Sequence, residues 1–187
     1  MKIRLLNIII LFLMLVTIFG CKKSNSEENR ELNQIIFAIV QRENKFNTSA
    51  IYINDSLKQL KVYIPSKEEI EQKIPPPPPG KTTSILRLLD FRKNYTSEDS
   101  ILVLKQNNYA LKKIKIDNEI NSDLKISNPK NKNERNLSFS TPIYFTGNFV
   151  YIEVGYYDYG FSRGTAYLLK KENGKWKIWD EEALWIT

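Results

Sequence analysis

FVYIEVGYYDYGFSRGTAYLLKKENGKWKIWDEEALWI, residues 149–186, is the stretch whose reading decides the fold. Phe149 to Tyr156 is dense in β-branched and aromatic residues and predicts a strand. Thr165 to Lys171 predicts a second. Asn173-Gly174, the strongest short hairpin signal, then turns the chain into Trp176-Lys177-Ile178-Trp179. A last strand is expected over Ala183 to Ile186, after Asp180-Glu181-Glu182. Between the first two strands, Tyr157 to Gly164 is rich in aromatics and glycine and reads as a loop. Just upstream, Leu137 to Ser140 and Ile143 to Phe145 flank Pro142, and Thr146-Gly147-Asn148 reads as a tight turn. Together these segments give an antiparallel meander of three or four strands.

One face of such a sheet must be covered. Leu32, Ile35, Ile36, Ile39 and Val40 recur at i, i+3, i+4, i+7 and i+8. That spacing predicts a helix from Glu31 to Glu43, capped by Asn29, with Glu31, Gln34, Gln41 and Arg42 toward water. The expected fold class is therefore α+β, an N-terminal amphipathic helix packed on a C-terminal antiparallel β-meander.

The middle of the chain is less decided. Ala50–Ile53 and Lys61–Ile64 read as a hairpin around Asn54-Asp55-Ser56. Ser66-Lys67-Glu68-Glu69 has capping-box spacing and predicts a short helix from Lys67 to Lys73. Five prolines, Pro75–Pro79, precede Gly80 and enforce a polyproline II rod of about 15 Å. It is either a docking segment for an aromatic groove or a stiff surface loop. Ser84 to Phe91 is apolar and fits strand or helix. Ser97-Glu98-Asp99 looks like a helix start, although Ile101–Leu104 suits a strand as well. Residues 118–136 are polar and read as a loop.

Residues 1–21 have a different character. Met1-Lys2-Ile3-Arg4 is basic, and Leu5 to Phe19 is an apolar run of about 15 residues, short of the roughly 20 that a spanning helix needs. It ends in Ile18-Phe19-Gly20-Cys21, which contains the only cysteine. This tetrapeptide resembles the lipobox of bacterial lipoproteins. The resemblance implies cleavage before Cys21, a diacylglycerol on its sulfur and an acylated new amine. Two or more chains hold a protein stably at a membrane where one does not. The expected organisation is a signal peptide over 1–20, the lipidated Cys21 and a polar tether over 21–30, and a single domain over 31–187. Lys22–Asn29, fully extended, reaches only ~26–29 Å. Ser26-Glu27-Glu28 also resembles acidic surface-export signals, or is simply a solvated tether. The localisation implied is the cell envelope, lipid-anchored, at the outer membrane.

The C-terminal part carries a second resemblance. Ser138-Phe139-Ser140-Thr141-Pro142, Asn173-Gly174-Lys175-Trp176-Lys177-Ile178 and Trp185 resemble the ending of small, uncharacterised lipoproteins of Gram-negative bacteria. Strand-Asn-Gly-Lys-Trp-Lys-Ile endings also occur in cystatin-like and nuclear-transport-factor-2-like domains. Both imply a curved sheet with a helix against it.

Composition narrows the chemistry. The chain has no histidine, which removes Ser-His-Asp and Cys-His nucleophilic sites and His-based zinc sites. Its formal charge is +7, with a concentration at Lys112, Lys113, Lys115 and from Lys125 to Arg135. That face suits anionic headgroups or polysaccharide, or is a solvated Lys-rich surface. Nucleic acid is not an expected partner outside the cytoplasm, and no cofactor is expected. The candidate binding surface is the aromatic segment Tyr157, Tyr159, Phe161 and Arg163, beside Tyr156, whose rings suit stacking on a glycan or clamping a peptide. The alternative is that these rings fold back onto the sheet. Carboxylates are the only acid–base groups left, namely Glu153, Asp158, Asp180, Glu181 and Glu182, and a glycosidase would need two of them about 5–9 Å apart in a cleft. The expected function is a non-enzymatic envelope module that binds a protein, peptide or glycan. The alternatives are a structural accessory protein and a carboxylate-dependent hydrolase.

Overall fold

The computed structural model describes residues 24–45, 52–78, 80–127 and 135–187. Cys21, the lipobox and the signal segment lie outside the described residues, as do 46–51, Pro79 and 128–134.

A mixed α+β architecture is present, with a long helix preceding a large, mostly antiparallel sheet. Helix α1 spans Asn25–Asn44. It starts earlier than Asn29 capping would place it, because Ser24 and Glu27 form a capping box: the Glu27 N–H donates to Ser24 Oγ at 3.3 Å, and the Ser24 N–H donates to Glu27 Oε2 at 2.9 Å. Residues 25–30 thus belong to the helix and not to a tether. Asn29 holds the neighbouring chain instead, donating to Lys115 O at 2.7 Å and accepting from the Lys115 N–H at 2.9 Å. Glu31 is buried, in contrast to its expected solvent-facing position.

The C-terminal meander is longer and more regular than its sequence suggests. Strands β5 (Asn136–Phe139) and β6 (Ile143–Phe145) pair end to end along one side of β7 (Phe149–Asp158). The break between them falls at Pro142, which has no N–H to give to a ladder. Beyond β7 come β8 (Phe161–Glu172) and β9 (Lys175–Ile186), all antiparallel. Residues 157–164 are not a loop. They extend the β7–β8 ladder to a two-residue turn at Tyr159 (φ 46°) and Gly160 (φ 93°), the same positive-φ pair that Asn173 (φ 51°) and Gly174 (φ 77°) adopt between β8 and β9. The acids Asp180–Glu182 lie within β9 and do not separate two strands.

Two glycines inside the strands have a specific use. Gly155, Gly164 and Trp185 occupy neighbouring positions across β7, β8 and β9. The Trp185 indole lies directly on Gly164, where a Cβ would come within 2.2 Å of its Nε1.

On its other side the sheet continues past β5 to β1 (Tyr52–Ile53) and β4 (Lys125–Ile126), which pair in parallel. The expected 50–64 hairpin does not form. Its second half, β2 (Lys61–Tyr63), pairs in parallel with β3 (Thr82–Ser84) in a separate two-stranded sheet. The expected loop over 118–136 likewise contains an edge strand and the buried Asn121. Helix α2 (Lys67–Ile70) is capped by Ser66 as its spacing predicts. The two ambiguous apolar runs are both helical, α3 (Ile85–Arg92) and α4 (Ser97–Lys105). Each has a hydroxyl N-cap, from Ser84 and Thr96, which favours helix initiation over strand.

The sheet is covered on both faces. On one, Leu32, Ile35, Ile36 and Ile39 of α1 pack on Ile152, Tyr167 and Leu169. On the other, Leu88, Leu89 and Val103 of α3 and α4, with Leu60 and Val62, pack on Tyr151 and Leu168. Burial on both faces accounts for the near-continuous apolar run of β7. Truncating a fully buried aliphatic such as Ile39 would cost about 2–5 kcal/mol.

Candidate functional site

The expected aromatic surface is divided by strand alternation. Tyr159 is 73% exposed at the turn and Phe161 44% exposed beside it, with its ring tilted against Tyr156 at 6.5 Å. Tyr157 is half-buried and, by alternation, faces away from Tyr156 and Asp158. Arg163 is turned inward: its Nη2 donates to Glu43 Oε2 at 2.5 Å and its Nη1 to Thr165 Oγ1 at 2.9 Å. Two of the four residues therefore share an exposed tip, while Arg163 serves the interior.

The carboxylates are dispersed in the same way. Glu181 faces α1 and receives Arg42 at 2.7 Å, whereas Asp180 and Glu182 face the opposite layer and receive Lys93 at 3.4 Å and Arg87 at 3.0 Å. Asp158 receives Arg135 at 3.0 Å and the Tyr156 hydroxyl at 3.1 Å. Glu153, Asp158 and Asp180 do not converge. Glu153 and Glu182 flank Ala166 on one row, but the cavity that touches Glu153 is only about 40 Å³, water-sized and far too small for a sugar ring. Among the described residues no group of three or more acidic side chains is placed to hold a metal ion.

Glu153 is nevertheless chemically perturbed. Burial raises its pKa above the ordinary 4.5, opposed by the Tyr151 hydroxyl, which donates to it at 2.8 Å. The folded protein then holds this proton more tightly than the unfolded chain does. Its contribution to stability is complete below about pH 4.5 and is lost as pH rises through the folded value. Glu153→Gln keeps an acceptor for Tyr151 and removes the buried charge. It should raise the melting temperature at pH 7–8 relative to wild type and flatten the wild-type decline above pH 5, read by thermal denaturation across pH.

One sizeable concavity was not anticipated from the sequence. It lies between the outer side of α1 and β9, the edge strand of the sheet, and encloses about 680 Å³. Phe37, Ala38, Ile120, Trp176 and Ile178 form its apolar wall. Arg42, Lys45, Lys175 and Lys177 are its charged lining residues, with no acid among them. Trp176 is 6% exposed, and its indole N–H has no hydrogen-bond partner; Gln34 Oε1, in the same wall, is also buried without one. Phe37 is the sequence signal for this cavity. It sits off the apolar stripe of α1, next to Ile36, and is 43% exposed.

Among the described residues, no helix is long and apolar enough to cross a membrane. Compared with known proteins, the chain matches no protein-family model, no curated protein and no solved structure.

Proposed function

We propose that the chain is a lipid-anchored envelope protein whose folded part binds a ligand and performs no chemistry. The observation that carries this reading is the contrast between its concavity and its acids. The cavity of about 680 Å³ has an apolar wall and no acid among its lining residues, while the carboxylates available for catalysis are each engaged by a cation or buried under Tyr151. The exposed tip at Tyr159 and Phe161 is a second, smaller surface, of a kind that suits a protein, peptide or glycan. We read the helix-on-meander half as a curved sheet of the cystatin-like or nuclear-transport-factor-2-like kind, a reading supported by the packing of α1 on β7, β8 and β9.

Anchoring through Cys21 gives this arrangement a location. With α1 starting at Asn25, the chain from Cys21 to Ser24 spans at most about 10 Å, so the helix begins at the bilayer surface. The cavity residues on α1 begin at Gln34, roughly 15 Å further along the axis at 1.5 Å per residue. Cys21→Ser should abolish acylation, read by metabolic labelling with an alkynyl fatty acid, and move the protein from the membrane to the soluble fraction. Retention in the membrane would show the N-terminal run to be a spanning helix and would remove the anchor from this reading.

A further inference from the structure

The outer edge of β9 is a surface that the fold leaves open, and we propose that its occupant is a second copy of the chain, added antiparallel about a two-fold axis near Trp179. β9 is twelve residues long and ends the sheet, whereas β4, at the other edge, has two residues. Among the described residues, no other segment hydrogen-bonds to its outer row of backbone groups; the Glu181 N–H is held locally by the Asp180 carboxylate at 2.9 Å. Such a row is a template for another strand. The inference concerns assembly and holds whichever ligand the concavity takes.

Charge decides what can add. β9 is basic in its first half, at Lys175 and Lys177, and acidic in its second, at Asp180, Glu181 and Glu182. A parallel copy would set lysines against lysines and acids against acids. An antiparallel copy sets each basic half against the other copy's acidic half, twice by symmetry. The faces agree as well. Lys175 and Lys177 alternate with Trp176 and Ile178, which pack toward α1, so they point away from α1. The register shift at Leu168/Leu169 reverses that alternation at Trp179. Asp180 and Glu182 thereby share the face of the lysines, where they meet Lys93 and Arg87. Lys177 and Glu182 of the second copy are brought together on that face.

These charges have room for a second partner. The Lys177 side chain is 62% exposed although it meets Glu172 at 3.3 Å, and that of Glu182 is 48% exposed although it meets Arg87 at 3.0 Å. An ammonium carries several donors and a carboxylate several acceptor sites. Trp179, 59% exposed, lies between the two halves, so pairing brings the two rings together near the axis. An unrelated strand lacks this pattern of signs. The charges and bulges that blunt the edge against other chains therefore select its own.

The test uses the full chain, expressed in two differently tagged forms in the same cells and extracted in mild detergent. Capture of one tag should bring down the other. A carbodiimide, which joins amine to carboxylate with no spacer, should link Lys177 to Glu182. Within one copy these residues are roughly 15 Å apart along β9, beyond the reach of the two side chains, so that link reports the pairing. Lys177→Glu should cut co-capture about tenfold, and so should Glu182→Lys, because each sets like charges opposite one another. Expressing one variant on each tag should restore capture to within about twofold of wild type, since each then supplies the charge that the other has lost. Absence of both co-capture and the Lys177–Glu182 link in wild type would overturn the assignment. Co-capture that survives both substitutions would overturn it by placing the contact elsewhere, as would cross-links from Lys177 to a different polypeptide. Failure of the paired variants to recover, with each melting as wild type does, would overturn the antiparallel arrangement.

Discussion

Glu43→Ala is expected to destabilise the protein by about 2–4 kcal/mol, because it leaves the buried Tyr167 hydroxyl without an acceptor and the partly exposed Arg163 without its ion pair. Glu43 is 3% exposed at the end of α1. It accepts from Arg163 Nη2 at 2.5 Å and from the Tyr167 hydroxyl at 2.5 Å, so one side chain ties the helix to β8 through two bonds. Alanine removes both acceptors. Arg163 would keep only Thr165 and its position 5.0 Å above the Tyr156 ring, and the Tyr167 hydroxyl would be stranded in the core. Burial and the neighbouring Glu43 already raise the Tyr167 pKa, so ionising the phenol offers no escape near neutral pH. Thermal denaturation should show a drop on the order of 10 °C for a chain of this size. Glu43→Gln, which keeps an acceptor, should lose less than half as much. If Glu43→Ala melts within about 1 °C of wild type, the clamp is not a stability element. Adjacent Arg42–Glu181, half-exposed, should by contrast contribute no more than about 1 kcal/mol and weaken with salt.

Asn33→Ala is expected to cost about 2–4 kcal/mol, because the four hydrogen bonds of a buried carboxamide are lost together. Asn33 is 1% exposed. Its Nδ2 donates to Asn29 O at 2.9 Å and Lys115 O at 2.8 Å, and its Oδ1 accepts from the Asp117 N–H at 2.9 Å and from Asn121 Nδ2 at 3.1 Å. A carboxamide carries the same donor and acceptor as a peptide group. Asn29 and Asn33, one helical turn apart, thus act toward residues 115–121 as a neighbouring strand would. Hydrogen exchange at 115–121 should accelerate in Asn33→Ala well beyond any change in β7 and β8. Uniform acceleration across the chain would instead mean that the segment is held by other contacts.

These two residues show where sequence reasoning reached and where it stopped. The α1 stripe was legible because 3.6-residue periodicity is local, and the β8–β9 hairpin because Asn-Gly advertises positive φ. The β7–β8 hairpin was hidden by its turn residue: an aromatic at positive φ is uncommon, and Tyr159-Gly160 reads as loop rather than turn. Gly155 and Gly164 strengthened that impression, although strand glycines also mark close approach, here of Trp185. The parallel partners of Tyr52–Ile53 carry no local signal at all, since they lie more than 70 residues downstream. Arg163 was read by residue type as part of an exposed binding surface, whereas its guanidinium is turned inward. Its buried partner, Glu43, is 120 residues away in sequence. The cavity was illegible for a related reason. It exists only because α1 and β9 dock side by side, and neither element announces a partner.

The parallel insertion of β1 between β4 and β5 also sets an order of events in time. β1 can find neither neighbour until residues 125–137 are available, and α1 can find no apolar bed until β7, β8 and β9 have paired. The three C-terminal strands close through two-residue turns and need only nearby contacts, the kind that form early. A chain made from its N-terminus therefore exposes the apolar stripe of α1 throughout its synthesis and completes its nucleus last. Truncations that remove the final strand should accordingly leave the first helix without a docking surface and turn the whole chain toward aggregation, rather than yielding a shorter soluble fold.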